Sequence, residues 1–80
     1  MSVRVLAFAG ARDAIGQGEL LLDSPSTTAR ALLDRLCLEH PALAPYQSSV
    51  RLAINGAYAA WDDPIHDGDE VAIIPPVAGG

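Results

Sequence analysis

Apolar residues recur at helical spacing in one stretch of this chain: Ala29, Leu32, Leu33 and Leu36 fall at i, i+3, i+4 and i+7. The hydroxyls of the preceding "SPSTT" can cap the first turn, and Pro41 ends the pattern. With one predicted helix in 80 residues, the remainder of the core has to be built from strands. "VRVLAFA" alternates, with Val3, Val5 and Ala7 on one face and Arg4, Leu6 and Phe8 on the other. "GARDAIGQG" reads as a glycine-punctuated connection, with Gly16 and Gly18 as hairpin residues, and "ELLLD" as a strand returning antiparallel. "VRLAINGAYAAW" puts Val50, Leu52 and Ile54 on one face before Asn55-Gly56, the pair that best tolerates the positive φ of a tight hairpin. "DDPIHDGDE" is turn chemistry, and "EVAII" is a last strand closed by Pro75 and Pro76.

The expected order is β-β-α-β-β-β, an α+β domain with a four- to five-stranded sheet and one main helix on one face. The core side would carry Val3, Val5, Ala7, Leu52, Ile54, Val71 and Ile73. One helix covers only one face, so the other should be polar. Instead its positions include Leu6, Phe8, Ala72 and Ile74, with Tyr58 on the neighbouring hairpin. An apolar cluster of that kind marks an interface. The competing reading is a sheet whose back is covered by its own loops.

A net charge of −5 and five arginines without a single lysine argue against a nucleic-acid binder, which needs clustered cations for phosphate contacts. An acidic domain is better suited to a basic protein surface. The lone cysteine excludes an internal disulfide, and a reducing, cytoplasmic compartment is expected. The opening "MSVRVLAFAGAR" is short, interrupted by Arg4 and closed by Arg12 and Asp13, so it reads as a strand and not a leader. No apolar run approaches the roughly 20 residues of a membrane span.

Catalytic patterns are absent from the body of the chain. Asp62 and Asp63 are adjacent and would point to opposite sides of an extended segment, which makes them turn formers. His40, His66 and Cys37 lie far apart in sequence without short ligand spacing, so no metal site is expected. Cys37 follows Leu36 on the edge of the apolar helix face and suits packing. Trp61 fits equally as a lid over the core edge or as a contact residue.

The remaining feature is "PPVAGG". Two prolines stop strand pairing, and the six residues from Pro75 span at most about 20 Å at roughly 3.3 Å each. Residues 1–74 are expected to form the domain and 75–80 a flexible tail. A side-chain-free end can enter a channel only as wide as a backbone. Its carboxylate is a poor acyl electrophile until ATP converts it to an acyl-adenylate, so this chain would be the substrate of that chemistry.

In these features the chain resembles the ubiquitin-like β-grasp sulfur carriers, specifically the small subunits of molybdopterin synthase. The similarity runs nearly end to end: "VRVLAFAGARDAIG" resembles the family's opening strand, "TARALLDRLCLEHP" its helix, "INGAYA" its Asn-centred hairpin and "GDEVAIIPPVAGG" its terminus. Gly10 replaces a larger residue common in the opening motif, and Ala78 stands where Ser or Thr is frequent. The resemblance implies that Gly80 is adenylated and then carries sulfur as a thiocarboxylate, with Gly79 supplying the slim approach. It implies donation to the cyclic pyranopterin monophosphate precursor inside the large synthase subunit. Phe8, Tyr58, Ile74, Pro75, Pro76 and Val77 would meet the partner. The implied partners are the large subunit, in an assembly of two small and two large subunits, an E1-like adenylating enzyme that consumes ATP, and a sulfur donor protein. No bound cofactor, metal, nucleic acid or membrane is implied, and the chain would not be catalytic alone. "VAGG" also ends carriers of the thiamin thiazole pathway, although Phe8, Ala9 and Arg12 match the molybdopterin opening. A ubiquitin-like modifier joined to amines through Gly80, and a binding module with an inert tail, remain as readings of a different class.

Overall fold

Alternation is obeyed in β1 (Ser2–Ala7), where Val3, Val5 and Ala7 are buried while Ser2 and Arg4 face solvent. The computed structural model describes residues 2–75. The segment after β1 is not the simple connection its glycines suggest. Ala9–Ile15 forms a helix, α1, that buries Ala11 and Ile15 one turn apart. Gly16 is its C-cap: at φ 90° it takes the left-handed conformation and donates its N–H to the Arg12 carbonyl at 2.8 Å. Gly10 lies beneath a ring, since a Cβ built there would sit 3.0 Å from Tyr46 Cζ. A larger residue at this position would require Tyr46 to move.

The chain returns as β2 (Glu19–Asp23), antiparallel to β1, and then forms a two-residue strand β3 (Thr27–Thr28). Thr28 caps α2 (Ala29–Glu39), its hydroxyl accepting the Ala31 N–H at 3.3 Å. The helical spacing is borne out: Ala29, Leu32, Leu33, Leu36 and Cys37 are all buried. Fully burying such a leucine contributes roughly 1.5–3 kcal/mol. α2 ends before Pro41, which opens a 3-10 segment (Pro41–Tyr46) that inserts Leu43 into the core.

Four more strands follow: β4 (Arg51–Ile54), β5 (Ala57–Tyr58), β6 (Pro64–Ile65) and β7 (Glu70–Ile74). The main sheet has the order β2-β1-β7-β4-β5, with β1 and β7 parallel and the other neighbours antiparallel. β3 and β6 form a separate small ladder, so "DDPIHDGDE" contains a strand as well as turns. The observed order is therefore β-α-β-β-α-β-β-β-β, the mixed five-stranded β-grasp sheet with α2 across one face. Ile54 is only half-buried at the core edge, whereas Val3, Val5, Leu52, Val71 and Ile73 are fully buried. Trp61 packs partly buried against the core with the Arg30 guanidinium 5.4 Å from its ring, as the lid reading requires.

Candidate docking face and carrier terminus

The sheet face away from α2 follows from the registers. Leu6 lies opposite Ala72, Ala72 opposite Ala53, and Ala53 opposite Tyr58, giving a lateral row of apolar positions across four strands. Ile74 lies opposite Arg51, and Phe8 follows Ala7, which faces Ile73. Phe8 is 50% exposed and Tyr58 66%, while Leu6, Ala72, Ile74 and Pro75 are half-buried. Phe8, Tyr58 and Ile74 thus share one face, as alternation requires. Own loops leave both aromatic rings open to solvent.

Arg51 belongs to this face and escaped the sequence reading. Its guanidinium lies 5.0 Å from the centre of the Tyr58 ring, and strand phase, opposite to that of Leu52, was the signal that marked it. At the other end of the face, Arg4 pairs with Glu19 and reaches Glu70 at 3.4 Å. Leu21, opposite Arg4, is 73% exposed. An apolar centre with charged margins is the anatomy of a protein interface.

The β4–β5 hairpin is held to the rest of the face by the expected pair. Asn55 and Gly56 take φ 51° and 86°, and Asn55 binds at three points. Its N–H donates to the Glu70 carbonyl at 2.8 Å, its Nδ2 to Asp69 Oδ1 at 2.9 Å, and its Oδ1 accepts the Glu70 N–H at 3.0 Å. Asp69 is held below the ordinary aspartate range, chiefly by the His66 backbone N–H and next by the Asn55 amide. The hairpin that presents Tyr58 is thereby tied to the turn feeding β7.

β7 leads from the middle of the sheet to Pro75, and Ile74, the residue before it, lies opposite Arg51. Pro76, Val77, Gly79 and Gly80 lie outside the described residues. A cleft of about 180 Å³ between Arg30, Asp34, Gln47 and Trp61 falls short of the roughly 300 Å³ at which ligand pockets begin. Among the described residues no group of three His, Cys, Asp or Glu could hold a metal ion. Asp63 is a turn former, its Oδ2 accepting the Ala60 N–H at 2.9 Å. Cys37 is a buried free thiol pushed above its usual pKa, first by burial and then by the Asp34 carboxylate.

The ThiS family model matches residues 5–80. A molybdopterin synthase sulfur carrier subunit from Arabidopsis thaliana is 41% identical, over 100% of this chain and 84% of its own length. The subunit of the same description from Escherichia coli is 34% identical over 98% and 99% of the two chains. Among solved structures, small archaeal modifier protein SAMP1 from Haloferax volcanii superposes with a TM-score of 0.85 at 29% identity, covering 100% of both chains. With this fold and similarity along its length, the chain belongs to the ThiS family of ubiquitin-like β-grasp proteins, together with the molybdopterin synthase sulfur carrier subunits.

Proposed function

We propose that this chain carries sulfur on Gly80 and delivers it to a pterin precursor within molybdopterin synthase. The observation that carries this reading is the coincidence of a strand, β7, running to "PPVAGG" with an open apolar face of Phe8, Tyr58 and Ile74 alongside it. Similarity to sulfur carrier subunits, extending to residue 80, supports it.

In this scheme a Gly80 carboxylate oxygen attacks the α-phosphorus of ATP on an E1-like enzyme, and pyrophosphate leaves. A persulfide from a donor protein then attacks the acyl carbon, AMP departs, and cleavage of the S–S bond by a thiol leaves the thiocarboxylate. The apolar face docks on the large synthase subunit, in a complex of two small and two large subunits, while Gly79 and Gly80 pass through a channel that would exclude a Cβ. There the sulfur is transferred to cyclic pyranopterin monophosphate. The body supplies the docking surface and the tail supplies the reactive atom. A cytoplasmic setting fits the unpaired cysteine.

Intact mass spectrometry tests the scheme after incubation with the adenylating enzyme, ATP and a persulfide donor. The expected product has one oxygen replaced by sulfur, and deletion of Gly80 abolishes it with the fold intact. A carboxylate unchanged under conditions that load a known carrier refutes the reading. The likeness to SAMP1 favours a second reading, transfer of Gly80 to protein amines. Isopeptide-linked products in place of a thiocarboxylate would establish that one.

A further inference from the structure

We infer that the chain is built to carry an activated carboxyl terminus without offering it an acceptor side chain, with Arg51 as the cation that makes this possible beside the tail. The inference rests on the reading of Gly80 as an activated acyl group. An ε-amine meeting such a group attacks the acyl carbon: a C–N bond forms, the C–O bond to AMP breaks, and the ammonium proton goes to water. The product would be a dead-end internal amide or a chain-to-chain polymer.

None of the five cationic side chains can do this. All are arginine, whose guanidinium stays protonated and offers no nucleophilic lone pair at neutral pH. The thiol of Cys37 is buried and pushed further toward its neutral form by the Asp34 carboxylate. Hydroxyls are far weaker nucleophiles than an amine at neutral pH, and an acyl-imidazole is returned to the carboxylate by water.

The exchange of lysine for arginine matters most at Arg51. It is exposed, opposite Ile74 in the register, and its guanidinium is 5.0 Å from the Tyr58 ring. It therefore places positive charge one residue from Pro75. The five residues beyond Pro75 span at most about 17 Å, ample to bring an acyl group back to this position. Because β1 and β7 are parallel, Ser2 lies at the opposite end of the sheet from Ile74, about 20 Å away. Arg51 is the cation nearest the exit along the β4–β7 ladder, so a lysine there would lie within reach of the acyl group.

The experiment prepares the Gly80 thioester of wild type, Arg51→Lys and Arg35→Lys by intein cleavage, with circular dichroism to verify folding. Each is followed at pH 8 by intact mass. Wild type is expected to form no internal amide: its thioester is lost by hydrolysis and by the slow, concentration-dependent attack of the N-terminal α-amine of another chain. Arg51→Lys should form an internal amide, one water lighter than the free acid. At about 10 μM protein and an effective concentration near 1 mM, this is roughly a hundredfold faster than dimer formation. Arg35→Lys, on α2, should react only between chains and in proportion to concentration. Self-acylation of wild type at the rate of Arg51→Lys, or an inert Arg51→Lys thioester, overturns the inference. An internal amide in Arg35→Lys as fast as in Arg51→Lys overturns the special place of Arg51. The thioester is made without an activating enzyme, so failure of ATP-dependent loading sinks the carrier reading and leaves this measurement valid.

Discussion

Replacing Asn55 by alanine is expected to loosen the hairpin that presents Tyr58. The residue has φ 51°, and its side chain makes hydrogen bonds of 2.9 Å to Asp69 and 3.0 Å from the Glu70 N–H. The left-handed conformation costs alanine about 1 kcal/mol. Each lost hydrogen bond contributes about 0.5 kcal/mol, the low end of the usual range, because the site is exposed. The sum is about 2 kcal/mol, which for a domain of this size lowers the melting temperature by roughly 10 °C. Asn55→Gly retains the backbone conformation and should lose only about 1 kcal/mol. A pH series adds a second check. Asp69 is held below its ordinary value, so its contribution is complete above about pH 4 and is lost as acidification protonates the folded carboxyl. The alanine variant raises that carboxyl partway back, and the gap to wild type should narrow at low pH. Calorimetric melting of the three proteins from pH 7 to pH 3 is the assay. Equal melting of Asn55→Ala and Asn55→Gly, or a gap that widens on acidification, would refute the reasoning.

Three further outcomes are expected. Phe8→Asp should weaken binding to the large synthase subunit by at least about 2 kcal/mol, roughly thirtyfold in Kd, as measured by titration calorimetry; unchanged affinity removes Phe8 from the docking face. Cys37→Ala should cost about 1 kcal/mol of stability while sulfur loading at Gly80 persists, and the native thiol should resist alkylation until denaturant is added; loss of loading with an intact fold would make the cysteine a sulfur relay. One alanine added after Gly80 should block adenylation yet preserve docking, because its Cβ meets the enzyme's narrow channel while Phe8, Tyr58 and Ile74 are untouched; adenylation at the wild-type rate would argue against such a channel.

Legibility differed sharply between elements. α2 could be read because four apolar residues hold one helical phase and a capping threonine precedes them. The Asn55-Gly56 turn was readable because few residues accept positive φ at both positions. α1 was not. It has seven residues, includes Gly10, lacks a side-chain cap and buries only Ala11 and Ile15, so it depends on packing against the 3-10 segment more than on propensity. β3 and β6 have two residues each, too few to express a period. Phe8, Tyr58 and Ile74 were found from alternation and resemblance together. Arg51 was missed because a lone charged residue on a strand looks like ordinary solvation until the register places it against Ile74.

The parallel pairing of β1 with β7 also has a mechanical consequence. Tension applied through Pro75 would run along β7, which is flanked on both sides, by β1 through Arg4 to Ala7 and by β4 through Arg51 to Ile54. Tension along a strand loads its neighbouring ladders in shear, so the hydrogen bonds of each ladder share the load and do not unzip one at a time. A pull exerted through Pro75 would therefore be shared between two ladders, whereas a pull on an edge strand such as β2 or β5 would act on one.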